Sequence, residues 1–334
     1  MKLLVLGAED VRGLLSYDEC ADAMRGALAA LARGAVHQPL RTVIRPPGAD
    51  GIMALMPAYR QAVPAAAGGE AVLGVKAICV FPGNPAAGLD AHQGVVLLSG
   101  AQTGEPLAVL NASAITEIRT AAVSVVATEL LARPGAADLA IIGTGTQARA
   151  HLLAIAAARP LTGIRVAGRD RAKARRFAED MGGRTTAPVT ACGSVAEAVA
   201  GAGIVVTVTS SAEPVLRREW LAPGTHINAV GACLPGAREL DTETVAAAAL
   251  FADSRESCTS EAGDFLLARA EGAIGPDHVR AEIGEVLAGT APGRGGDGEI
   301  TVFESLGLAI EDVAASALAY RKAAALGAGA WVEF

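Results

Sequence analysis

The spacing of apolar positions changes along the chain, and the changes mark its elements. Residues 8–34 read as helical, with Asp18 near the start of a second helix and ECADAMRGALAALARG stopping at Gly34. RTVIRPPG, GIMALMPAYR and AVLGVKAICVFPGN follow as short apolar or β-branched runs cut by Pro and Gly, which predict strands. Residues 61–70, QAVPAAAGGE, have the composition of a flexible loop. GVVLLSGAQTGEPLAVLN predicts two strands around a Gly-containing turn. Residues 112–131 form a helix pattern that Pro134 and Gly135 end.

Beyond that point strands and helices alternate. DLAIIG is a buried strand, QARAHLLAIAAA a helix, IRVAG a strand and RDRAKARRFAEDMG a charged helix. VAEAVAGAG is a helix and IVVTVTS a strand; THINAVGA contains another, and VAAAALFADS ends in one more. Such alternation predicts parallel βαβ units. The expected fold class is α/β, a Rossmann-type doubly wound parallel sheet, beside a second α+β domain. Residues 290–299, TAPGRGGDGE, read as a boundary loop, and 301–324 as one closing helix.

Composition narrows the class. The 334 residues suggest about two domains. With 51% hydrophobic and 19% charged residues the chain is too apolar to be disordered. A mean hydropathy of +0.38 raises the question of a membrane, but no window holds about 18 uninterrupted apolar residues. The apolar start MKLLVLG meets Glu9 and Asp10 at once, too short for a secretory leader. A net charge of −7 with no Lys/Arg run argues against nucleic acid. Cysteines at 20, 79, 192, 233 and 258 are odd in number and show no CxxC, and the histidines show no HxxxH pair. Neither a disulfide framework nor a metal site is expected, and a reducing cytoplasm is.

The sharpest motif is Gly143-Thr144-Gly145-Thr146-Gln147-Ala148, which fits G-x-G-x-x-G/A and lies between a buried strand and a helix. Gly143 permits the tight turn, Gly145 lets a pyrophosphate approach the backbone, and Ala148 allows close helix–strand packing. The first turn of the helix then offers free N–H groups to the phosphates. A site selective for NAD wants an acid at the end of the next strand. Here that place holds Gly168, with Arg169 beside it. An Arg there pairs with a 2′-phosphate, which favours NADPH with NADH as the alternative. Arg171 is a candidate helper, and Asp170 reads as the cap of the following helix.

IIGTGTQARAHL, together with EIRTAAVS upstream and INAVGACLPGARELD and TVFESLGLAIED downstream, resembles the ornithine cyclodeaminase/mu-crystallin family. The order and spacing agree from MPAYR to the last helix. The resemblance implies a homodimer with two domains per chain. Residues 1–120 with 301–334 would bind substrate and dimerise, and residues 121–300 would be the Rossmann domain. It also implies chemistry through an imine next to a carboxylate, with hydride exchanged at a nicotinamide.

Charged residues in apolar surroundings supply the substrate candidates. Lys76 stands in VLGVKAICVF and Arg119 in ITEIRTAAVS. A buried cation without a partner is costly, so each needs either an anionic ligand or a structural acid. Arg41 is the third candidate, with Arg45 four residues on as its rival. In the family, cations at matching places hold the substrate carboxylate. His92 matches a family His-Gln pair, and an imidazole can carry the proton an imine nitrogen needs; it also reads as a plain structural residue. Lys76, His92 and bound water remain the candidate donors. Thr120 is a candidate cofactor contact.

Two departures bear on the substrate. Cys233 stands where cyclodeaminases of the family carry an Asp, and Ala54 where they carry a Glu. A mostly neutral thiol does not replace a carboxylate. Both losses argue for a cyclic imine carboxylate with a hydrocarbon ring rather than a diamino acid. The expected reaction is reduction of Δ1-pyrroline-2-carboxylate or Δ1-piperideine-2-carboxylate. The alternatives are an open-chain amino-acid dehydrogenase, then a cyclodeaminase or a ligand-binding protein. Phe303 and Gly307 are expected to start the last helix, and Asp312 to lie on a helix surface or an interface.

Overall fold

The computed structural model describes residues 2–62 and 69–334. Residues 63–68 of the expected loop lie outside them. The chain divides into two compact units, Met1–Arg119 with Gly307–Phe334, and Thr120–Leu306.

The first unit begins with β1 (Lys2–Leu6), α1 (Ala8–Leu14) and α2 (Tyr17–Ala32). The Ser16 hydroxyl accepts from Glu19 N–H while the Glu19 carboxylate returns to Ser16, so Ser16 starts α2 and Asp18 sits inside its first turn. The strands β2 (Val36–His37), β3 (Thr42–Ile44), β4 (Ile52–Arg60), β5 (Val72–Val80), β6 (His92–Ser99) and β7 (Pro106–Asn111) follow. β4 through β7 form an antiparallel meander, and β1 adds to it parallel to β7. The alternation of buried and half-buried positions along β4 and β5 shows one face turned to a core. α3 (Ala112–Leu131) carries the boundary between the units within its length.

The second unit holds β8 (Asp138–Ile142), α4 (Thr146–Ala158), β9 (Gly163–Ala167), α5 (Arg171–Met181), β10 (Val189–Ala191), α6 (Val195–Val199), β11 (Ile204–Thr207) and β12 (His226–Ala229). It continues through α7 (Thr242–Ala247), β13 (Ala249–Ala252), α8 (Arg255–Glu261), α9 (Gly263–Ala270), β14 (Val279–Glu282), α10 (Ile283–Ala288) and β15 (Thr301–Glu304). All eight strands are parallel, in the order β10-β9-β8-β11-β12-β15-β13-β14. The order reverses between β8 and β11, the place where open α/β sheets bind ligands. This is the doubly wound α/β fold that the alternation predicts.

The chain ends in α11 (Ala309–Leu326) and β16 (Ala330–Glu333). α11 packs on β4, β5 and β6 and on α2, closing the core of the first unit. Gly74 lets it come close, since a Cβ there would lie 3.1 Å from Val313. The expected single helix over 301–324 is therefore corrected. Residues 301–304 are a central strand of the parallel sheet, and α11 starts only at Ala309. Phe303 lies inside that strand, fully buried, and Gly307 forms the turn before the helix with φ +79°. Among the described residues, no helix is long and apolar enough to cross a membrane.

Candidate functional site

In the first unit, three cations converge on the start of α11. Lys76 points to the buried face of β5 and is 2% exposed. Its Nζ lies 2.7 Å from Asp312 Oδ2 and 3.4 Å from Thr116 Oγ1. Arg119 donates from Nε to Asp312 Oδ1 at 2.9 Å and from Nη1 to Glu311 Oε2 at 2.8 Å. Arg41 donates to the carbonyl of Gly307 at 3.1 Å. Gly307 has no room for a side chain, because a Cβ would lie 2.7 Å from the Arg119 guanidinium.

Asp312 is thus fully buried and bridges two cations, which corrects the surface or interface placement expected for it. Both acids were missed as members of the cluster. The signal was available, because Glu311-Asp312 stands in the apolar stretch LGLAIEDVAASALA as Lys76 stands in its strand. Burial lowers the Lys76 pKa to about 8; Asp312 opposes that shift, and the charges of Arg119 and Arg41 add to it. Burial also raises the Glu311 carboxyl against the pull of Arg119.

His92 opens β6 opposite Val80, four residues along β5 from Lys76, which is roughly 13 Å of strand. Its surface is open to solvent, yet the atoms packed around the ring lower its pKa, followed by the charges of Lys76 and Arg119. It feels the cluster's field without a hydrogen bond to it.

In the second unit, the fingerprint lies where the sequence places it. Gly143 leaves β8 at φ +129° and donates to the carbonyl of Ala167 at 2.9 Å. A Cβ there would lie 2.7 Å from the carbonyl oxygen of Val208, so only glycine fits. Gly145 caps α4 with no side-chain bond, and a Cβ on it would meet open space. Thr146 is exposed on the first turn of α4, Gln147 half-buried and Ala148 fully buried. An open glycine before free helix N–H groups fits a pyrophosphate. The end of β9 carries no acid: Gly168 packs beside Thr144, and Arg169 is exposed with no hydrogen bond or ion pair among the described residues. Asp170 caps α5 by accepting from Ala172 and Lys173 N–H. Thr120, the first residue of this unit, is buried within α3.

Cys233 is half-buried and its thiol donates to the carbonyls of Val230 and Ser305, at 3.3 and 3.7 Å. None of the five cysteines, all among the described residues, forms a disulfide. Among the described residues no group of His, Cys, Asp or Glu could hold a metal ion.

The model of the ornithine cyclodeaminase/mu-crystallin family matches residues 1–326. The chain belongs to this family. Its relatives in the family include the mouse ketimine reductase mu-crystallin, 40% identical over 94% of this chain and 96% of its own. A solved structure of Thermococcus litoralis Δ1-pyrroline-2-carboxylate reductase, in complex with NADH and L-proline, superposes with a TM-score of 0.93. It is 36% identical and covers 98% of this chain and 99% of its own. An archaeal alanine dehydrogenase dimer with bound NAD gives 0.92 at 34% identity, with full coverage of both chains. These two solved structures are thus named for enzymes of a closed-ring and an open-chain amino acid on one fold.

Proposed function

We propose that this imine reductase acts on a cyclic ketimine carboxylate, Δ1-pyrroline-2-carboxylate or Δ1-piperideine-2-carboxylate, giving L-proline or L-pipecolate. The convergence of Arg41, Lys76 and Arg119 on one helix start carries the reading. Glu311 and Asp312 supply structural acids to Lys76 and Arg119, but three cations against two carboxylates leave an excess of positive charge that suits a small carboxylate, and fixing it there converts an encounter into a near-attack geometry. Relatives named for ketimine and pyrroline-2-carboxylate reduction support the same substrate class.

When bound, the reduced coenzyme would supply hydride to the imine carbon. The C=N electron pair moves to nitrogen, and a proton completes the secondary amine. Lys76 is the best donor on this chain: with a pKa near 8 it is mostly protonated at pH 7 yet acidic enough to give the proton up. Burial and the charges of Lys76 and Arg119 lower the His92 pKa, which disfavours the protonated form it would need as the donor. Gly143, Gly145, Thr146, Gln147 and Ala148 would hold the pyrophosphate, with Thr120 a further coenzyme contact. Arg169 beside Gly168 favours NADPH, with NADH as the alternative.

The open-chain reading has the alanine dehydrogenase likeness in its favour. A cyclodeaminase fits less well, because Cys233 is held on backbone carbonyls and Ala54 is apolar and buried. The unit also offers a dimer surface. Leu55, Val75, Ala77, Val95, Leu97 and Val109 make the less buried face of the antiparallel sheet apolar. A homodimer through that face, in the cytoplasm, completes the proposal.

The test is NADPH oxidation at 340 nm with Δ1-pyrroline-2-carboxylate, with NADH in parallel. Rapid turnover supports the reading. No turnover with either coenzyme, together with ammonia-dependent oxidation in a panel of L-amino acids with NAD(P)+, replaces it by the open-chain one. Stoichiometric coenzyme binding without turnover on any imine or amino acid leaves a ligand-binding protein.

A further inference from the structure

The geometry points to Glu239 as a positioning residue that straps together the two loops at the coenzyme-binding edge of the parallel sheet. This rests on the reading that the second unit binds NAD(P)H. Glu239 is fully buried, and its two carboxylate oxygens reach different loops. Oε1 accepts from the N–H of Thr209 at 2.5 Å, and Oε2 from the N–H of Gly231 at 2.7 Å. Thr209 follows β11 and Gly231 follows β12, so both amides belong to the carboxyl ends of adjacent central strands. Ligands of open parallel sheets bind outside those ends.

The strap reaches the fingerprint through one residue. Val208, next to Thr209, donates to the carbonyl of Ile142 at 2.9 Å. Its own carbonyl oxygen is the atom that leaves no room for a side chain at Gly143. The first fingerprint glycine is therefore packed on a backbone whose next amide Glu239 holds. Gly231 closes the arrangement from the other side. A Cβ there would lie 2.3 Å from the Thr209 carbonyl oxygen and 2.6 Å from the Glu239 carboxyl carbon.

Glu239 is itself anchored. Its N–H donates to Asp264 Oδ1 at 2.8 Å, and its carbonyl accepts from Val215 and Leu216 at 2.7 and 2.9 Å. One side chain thus fixes the spacing of two loops from a point behind them, without reaching a ligand. Only a group with two acceptors does this. Glutamine has the same shape, but its amide nitrogen would set a donor against a donor at one of the two N–H groups. Those bonds are buried, so losing one leaves a backbone donor without a partner.

The test compares the intact wild-type chain with Glu239→Gln. It reads the Kd of NADH and NADPH by fluorescence, the KM of the imine carboxylate at saturating coenzyme, and the thermal midpoint. The expected result is a Kd raised about tenfold for both coenzymes, with the KM within twofold and the midpoint within a few degrees. An unchanged Kd overturns the inference, as does a parallel loss of coenzyme affinity, substrate affinity and stability. A wild-type chain that binds neither coenzyme takes down the functional reading, and this inference with it. If Glu239→Gln fails to fold, amide exchange in coenzyme-free wild type decides. Exchange at Thr209 and Gly231 as slow as in β11 and β12 supports the strap, and fast exchange at either overturns it.

Discussion

Lys76 sits 2.7 Å from Asp312 in a nearly dry setting, and its pKa of about 8 makes its charge sensitive to small changes. If it both anchors the carboxylate and supplies the proton, kcat/KM falls as pH rises through about 8. Lys76→Met is expected to lower kcat/KM by about 10²–10⁴-fold, the range for losing a general acid, with a folded chain by circular dichroism. Retention of full activity would remove Lys76 from the mechanism. Asp312→Asn withdraws the charge that supports the ammonium, so the alkaline limb of the pH profile should move to lower pH. At the coenzyme end, Arg169→Ala is expected to raise the KM for NADPH about tenfold and leave that for NADH within twofold. Equal effects on both would mean that Arg169 does not read the 2′-phosphate.

At the scale of elements, the legible parts were those with a strong period or a fixed motif. β8 and α4 follow from DLAIIG and QARAHLLAIAAA, the glycine turn between them from six residues, and the hairpin of β6 and β7 from a glycine turn between two apolar runs. Misread was the stretch 301–308. Thr301–Glu304 is buried on both faces in the middle of a parallel sheet, and such a strand shows no alternation to separate it from a helix. β1 has only five residues, KLLVL, too short an apolar run to show a period of its own. Glu311 and Asp312 show in the sequence as acids in an apolar stretch, but not which cations they meet, because those partners lie far away, Arg119 and Asp312 being 193 residues apart. The start of β12 offers a prediction of its own. His226 is fully buried against the Thr301 hydroxyl, and burial, then Arg294, lowers its pKa to about 3. Below about pH 6.5 the unfolded chain takes up a proton that the folded chain refuses. This residue alone should therefore remove roughly 1.4 kcal/mol of stability per pH unit as pH falls from about 6 toward 3. Denaturant titrations at pH 7 and pH 4 check this, with His226→Gln expected to show the smaller loss.

At the scale of the whole molecule, the apolar face of the antiparallel sheet gives the clearest expectation. Val95 is 43% exposed, a large aliphatic side chain in the middle of that face. Val95→Asp is expected to shift the chain from dimer to monomer in light scattering, while a charge added on an exposed helix position such as Arg176→Glu leaves the mass unchanged. A wild-type monomer at micromolar concentration would rule out this face as the dimer surface. The doubly wound sheet was readable because its strands and helices alternate; what covers the apolar face of the antiparallel sheet was not, because a sheet face alternates in the same way whatever packs on it.

The first unit is assembled from the two ends of the chain, with the second unit's residues between them. Residues 120–306 contain every strand of the parallel sheet, whereas the antiparallel sheet relies on α11 to cover β4, β5 and β6. The same helix brings Glu311 and Asp312 to Lys76 and Arg119. Cutting the chain before Gly307 is therefore asymmetric in its effect: limited proteolysis of such a fragment is expected to spare the parallel sheet and to digest the antiparallel one.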